Sequence, residues 1–338
     1  MSARLEVVVR RGPIAESVHH LQAVAVDATG RRVFATAEPE RVTSFRSAAK
    51  PFQLLPLIER GHADRFGFTS VEVAVMSASH TGSAHHLELV TGILARLGLE
   101  PRHLACGYHE PSDPASLEDV RLHPQKRSPL YNNCSGKHAG MLALALAEGW
   151  PVEGYEREAH PVQQLMRRTV AECCGLAPEA LQVGVDGCSV SVFGLPLAAM
   201  ALGYARLAAA IESGGDARAQ ALQRIGRALT AHPRAVEGAG RLSTALMETT
   251  GGRVAAKGGA EGLELVAVPG RALGIAVKCE DGGARAVAPA TVALLGELGV
   301  LTATEMDALA GQRRPRLTNA AGLDVGQLEA EVHATARA

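Results

Sequence analysis

The sequence predicts an α+β fold: an antiparallel sheet, built from strands at both ends of the chain, packs against a helical middle. Three observations predict it. β-rich runs fill the first 40 residues, helical periodicity dominates roughly residues 45–250, and alternating apolar and polar runs return after residue 260. No internal repeat or linker divides the chain. One domain over residues 1–338 is therefore expected, with the helical middle inserted between the two strand groups.

Leu5-Glu-Val-Val-Val9 and Leu21-Gln-Ala-Val-Ala-Val26 have strand composition, and a third strand is expected over Arg32–Ala35. Asp27-Ala-Thr-Gly30 before it suits a hairpin turn. Leu87, Val90, Leu94 and Leu97 recur at helical spacing, and Gly98 is placed to stop that helix. Gly140–Glu148 is apolar nearly all round, which predicts a buried helix. Pro161 suits the first turn of a helix running to Gly175, and Ala217–Leu229 and Leu242–Glu248 are further helices. Pro111–Asn133 is a long connection, of a length that usually serves function or mobility. Gly262–Pro269 and Arg271–Glu280 alternate across a Pro-Gly turn, and a helix follows over Pro289–Leu298.

With 338 residues and 47% hydrophobic content, the chain can bury a sizeable core. A net charge of −1 without a long block of either sign argues against nucleic-acid and anionic-membrane footprints, and 3% aromatic content argues against base-stacking platforms. The opening MSARLEVVVRRGP has no apolar run of signal-peptide length, and Met141–Ala147 is too short to span a bilayer. A cytoplasmic location and reduced cysteines are therefore expected.

Five segments carry chemistry. Ser47 and Lys50 are three apart and share a face if helical, and Pro51 requires the helix to begin near Ser47. A neutral lysine amine there can take a serine proton, although Ser47 equally suits a helix cap. Met76–His86 packs Ser79 and His80 before Gly82 in a turn that also suits helix capping. Lys257-Gly-Gly precedes the last strand pair, like the strand lysine of Ser-x-x-Lys hydrolases. Cys134 and Cys188 lie among glycines and small polar residues, which is unusual for core thiols. They can hold zinc with a third ligand, for which Lys137 and His138 are both candidates.

Together these segments resemble the rhizobial-type L-asparaginase (asparaginase II) family. The resemblance rests on Phe45–Gln53, Ser77–Gly82, Asn132–Gly140, Asp186–Cys188 and Lys257–Gly262, in family order over most of the chain. It implies a serine β-lactamase/glutaminase-like fold, one catalytic domain and a homodimer acting on a small-molecule amide, L-asparagine. It implies Ser47 paired with Lys50 as nucleophile and base, and Ser79 paired with Lys257. It implies zinc held by Cys134, Lys137 and Cys188. Asp186, His62, Arg46 and His80 would serve the substrate. A glutaminase or other amide hydrolase of that fold is the nearest alternative, and a non-catalytic zinc or thiol sensor is the alternative outside enzymes.

Overall fold

The computed structural model describes residues 3–333. β1 (Arg4–Arg11) and β2 (Ile14–Asp27) form a hairpin, and β3 (Arg32–Ala35) folds back onto β2. The turn between them closes where the Gly30 amide donates to the Asp27 carbonyl at 2.9 Å. β4 (Val42–Ser44) enters a 3-10 turn over Arg46–Ala49. That turn runs into α1 (Lys50–Glu59), followed by α2 (His62–Arg65), α3 (Ser70–Met76) and α4 (Ala84–Arg96). The long connection after α4 carries α5 (Pro114–Leu122), so it is partly helical rather than bare loop.

α6 (Ser135–Glu148) and α7 (Pro161–Cys173) lead to β5 (Gln182–Val185) and β6 (Ser191–Pro196). Then come α8 (Leu197–Ser213), α9 (Ala217–Ala231), α10 (Pro233–Val236) and α11 (Leu242–Thr249). The chain returns to the sheet as β7 (Ala255–Gly259), β8 (Leu263–Val268) and β9 (Leu273–Cys279). α12 (Ala284–Glu297), α13 (Ala303–Ala308) and α14 (Ala310–Arg313) precede β10 (Arg316–Thr318) and β11 (Asp324–His333). α12 starts at Ala284, ahead of the expected Pro289, which sits in its second turn.

The main sheet has the order β10-β11-β1-β2-β9-β8-β7, with β3 beside the far half of β2, and these strand pairings are antiparallel. The N-terminal hairpin thus sits between two groups of C-terminal strands in one sheet, in line with the α+β expectation. α8 packs on β2, β8 and β9, and α12 packs on β1, β8, β9 and β11. Central strands covered on both faces need no polar side, and β8 and β9 are buried at every position. Beyond α8, α1 packs against α6, α7 and α9. A second, three-stranded sheet, β4-β6-β5, was not foreseen, nor was α8. Among the described residues no helix is long and apolar enough to cross a membrane.

Candidate active site

A cavity of about 570 Å³ opens where the start of α1, the loop after α3, the start of α6, the β5–β6 turn and β7 meet. Ser47, Ser79, Cys134, Asp186, Cys188 and Arg46 all line it, from four separate stretches of chain.

Arg46 has a φ of 44°, uncommon for a residue with a Cβ, and there the chain bends from β4 into the 3-10 turn bearing Ser47. Its Nε donates to Asp186 Oδ1 at 3.1 Å, which ties the two expected substrate residues together on the cavity wall. Burial opposes the Asp186 charge, but Lys137 and Arg46 outweigh it and lower the carboxyl's pKa.

Lys50 is wholly buried at the first position of α1. Its amine donates to the Ala78 carbonyl and to Ser79 Oγ at 2.9 Å. Burial, reinforced by the charges of Lys137 and Lys257, pushes it down to about 8. Among the described residues Lys50 hydrogen-bonds Ser79, and no hydrogen bond joins it to Ser47. Helical spacing placed Ser47 and Lys50 on one face, but the amine reaches past it to the loop after α3.

That loop is pinned on both sides. Ser79 N donates to Val236 O at 2.8 Å and His80 N to Asn133 O at 3.2 Å. His80 is not a cavity residue. Its ring is buried, with Nδ1 accepting from Gly82 N at 3.1 Å and Nε2 facing Ser135 Oγ at 2.8 Å. Burial holds its pKa well below the usual imidazole range, so it props the loop as a neutral ring. Gly136 lets α6 approach α3 closely: a Cβ there would lie 2.2 Å from the Val75 carbonyl oxygen.

Cys134, Lys137 and Cys188 converge as the resemblance implied. Lys137 Nζ donates to Cys188 Sγ at 3.1 Å, and Cys134 Sγ lies 3.2 Å from Asn133 Oδ1. The neighbouring thiol, with Lys50 and Lys137, lowers Cys134 well below the usual thiol range, while that neighbour and burial raise Cys188. Burial works against the Lys137 charge, yet the adjacent sulfurs outweigh it and raise its pKa. His138, the other candidate ligand, turns away to Tyr155 Oη at 2.6 Å.

The donor set suits zinc: Zn–S and Zn–N bonds of about 2.3 and 2.0 Å at a tetrahedral angle put sulfur and nitrogen about 3.5 Å apart. A second group, His19, Cys279 and Asp281, is satisfied within itself. Asp281 accepts from His19 Nδ1 at 2.7 Å and Cys279 Sγ at 2.9 Å, and the Arg285 guanidinium donates to His19 Nε2 at 2.9 Å.

Lys257 also departs from its expected pairing. It is fully buried, and Nζ donates to Glu237 Oε1 at 2.7 Å and to Gly258 O at 2.7 Å, not to Ser79. Glu237 and Glu264 both border the cavity, and sequence reasoning found neither. Glu264 occupies what reads as the outward position of an alternating strand, and Glu237 lies in an undistinguished turn.

His62 is not part of this cavity. Its Nε2 lies 2.7 Å from Glu148 Oε1, at the far end of α6 from Cys134. At ~1.5 Å per residue, that is about 20 Å from the thiols.

A helix-flanked antiparallel sheet that gathers serines, a lysine of lowered basicity and a Cys-Lys-Cys cluster into one polar cavity has the architecture of a hydrolytic enzyme. The family model for L-asparaginase II matches residues 7–330, and the chain belongs to that family.

No curated protein matches the chain at a significant level. Solved structures of Mglu are similar to it. In a tris and glutamate form the identity is 15% and the TM-score 0.47, covering 86% of this chain and 62% of that one. A second Mglu structure gives 14% and 0.46, covering 86% and 70%. A native form in 4.3 M NaCl gives 16% and 0.47, covering 86% and 64%. This chain thus spans 62% of the length of the first.

Proposed function

We propose that the chain hydrolyses L-asparagine to L-aspartate and ammonia through a serine nucleophile. The observation that carries this is the buried Lys50 amine, bonded to Ser79 Oγ and three residues from Ser47 in the same cavity. Ser47 Oγ attacks the side-chain carboxamide, and the neutral Lys50 amine receives its proton. Ser79, bridging Lys50 and the cavity, passes a proton to the departing nitrogen as the C–N bond breaks. Water then attacks the aspartyl ester, giving its proton back through Ser79 and Lys50, and Ser47 is regenerated.

Zinc belongs to the same proposal, with Cys134, Lys137 and Cys188 as ligands. When bound it supplies a Lewis-acidic centre that orients substrate beside Asp186 and Arg46. We also propose a homodimer working in the cytoplasm.

Ammonia release from L-asparagine and L-glutamine by the purified protein tests the function. Expected are fast release from asparagine, little from glutamine, and a loss of ~10³-fold or more in Ser47→Ala. Near-normal turnover by Ser47→Ala removes the nucleophile. Release from glutamine alone replaces asparaginase with glutaminase.

A further inference from the structure

Side chains occupy the space over the first glycine of the Lys-Gly-Gly segment at 257–259. A Cβ on Gly258 would lie 2.9 Å from Glu264 Oε2 and 3.1 Å from Glu237 Oε1, so the two carboxyls meet over its bare Cα. Ser243 joins them: its Oγ accepts from Gly258 N at 3.0 Å and lies 2.7 Å from Glu264 Oε1. Gly258 N also donates to Glu237 Oε1 at 3.2 Å. Lys257, Ser243 and Glu264 are each at least nine-tenths buried, and Glu237 is nearly so.

Two carboxylates this close in a buried setting do not both ionise. One cation faces them at bonding distance, Lys257 Nζ at 2.7 Å from Glu237. Burial opposes the Glu237 charge, but Lys257 and its hydrogen bonds outweigh that and lower its pKa. Burial and the neighbouring Glu237 charge push Glu264 up, which leaves it the protonated member. Another titratable group near the pair is Tyr204, whose hydroxyl donates to Ala48 O at 2.9 Å.

We infer that Glu237 and Glu264, with Ser243 beside them, hold a single negative charge that forms an ion pair with Lys257, so that Lys257 is the partner of these carboxyls rather than a base for Ser79. To act as a base, Lys257 would first have to give its proton to the carboxylate it contacts. Ser79 has its lysine partner already in Lys50. The Ser79 N to Val236 O bond sets Glu237 one residue from the partner of the Ser79 loop, which ties the ion pair to the loop that carries Ser79. Glu237 is thus a positioning residue, and Glu264 is its reserve. This role for Lys257 rests on the amide-hydrolysis proposal; the shared charge does not.

Infrared difference spectra of the full chain at neutral pH test the charge without turnover. The wild type should show one protonated carboxylic acid band. Glu264→Gln should abolish it, and so should Glu237→Gln, because the remaining carboxyl ionises beside Lys257. No such band in the wild type, or a band that survives in Glu237→Gln, overturns the inference.

The pH profile of asparagine turnover tests the role. Each single variant should stay within about threefold of wild type with its ascending limb unmoved, while the double variant loses ~100-fold or more. If Lys257 were the base, Glu237→Gln would move that limb to lower pH, and this outcome overturns the inference. Should the double variant fail to fold, the single variants decide. Wild type that releases no ammonia from any amide defeats the hydrolase proposal and the Lys257 role with it. The infrared arm then decides the shared charge alone.

Discussion

Lys50 offers the sharpest test of the proposed chemistry. Its amine is wholly buried, and among the described residues it contacts a carbonyl and a hydroxyl but no carboxylate. Burial first, then Lys137 and Lys257, bring it to about 8. A base with that value is about one-tenth neutral at pH 7 and about nine-tenths neutral at pH 9. Because the neutral form is the active one, kcat/KM should rise ~10-fold across that interval, the limb reporting the free enzyme. Lys50→Arg keeps a positive charge that cannot be shed, so it should lose ~10²–10⁴-fold and have no limb. Ammonia release measured from pH 6 to 10 at saturating and at low asparagine gives both parameters. A profile flat between pH 7 and 9, or a limb that persists in Lys50→Arg, refutes the assignment of Lys50 as the base. A limb that disappears in Glu264→Gln instead would assign it to that carboxyl.

Two further outcomes follow from contacts on either side of the thiol pair. Gly136→Ala must separate α6 from α3 by about 1 Å to relieve a 2.2 Å contact with Val75 O, and overpacking of this kind costs about 1–3 kcal/mol. Its denaturant midpoint should fall, and an unchanged midpoint shows that the helices do not meet as described. Cys134→Ser and Cys188→Ser should each reduce zinc from about one per chain to a small fraction, read by atomic emission after exhaustive dialysis. Zinc retained in both variants places the metal elsewhere.

Much of the scaffold was legible in the sequence because it depends on local rules. Strands at both ends are β-branched and bounded by turn residues, and helices such as α4 and α9 carry an apolar stripe with a stop. The sheet β4-β6-β5 escaped because its strands run only three to six residues and include Gly184 and Gly194. β11 escaped for a different reason: Glu329 and Glu331 pair with Arg10, so an edge strand reads as a polar segment. Glu264 was hidden by the alternation rule itself. Alternation assigns every second position of a strand to solvent, yet the second face of β8 is closed by the walls of the cavity.

Several of the cavity's residues, Ser47, Ser79, Cys134, Asp186 and Cys188 among them, were singled out in the sequence, but not which group each one touches, since these contacts are long-range. Lys50, Lys137 and Lys257 are all buried around one cavity, and spacing alone gives them equal standing. Their neighbours separate them. Lys257 bonds a carboxylate at 2.7 Å, which favours its charged form. Lys137 lies 3.1 Å from a sulfur, the atom with which an amine would share a metal. Lys50 alone bonds neutral oxygens and stands under the positive field of the other two, which favours its uncharged form. For Lys50 burial outweighs the opposing Cys134 and Cys188 thiols, so of the three only Lys50 is lowered toward the value a base needs. In the proposed mechanism the other two are the partner of the carboxyl pair and a metal ligand. Exchanging the partners, by placing an acid beside Lys50 in Ala78→Asp, should raise its pKa and carry the ascending limb of the activity profile to higher pH.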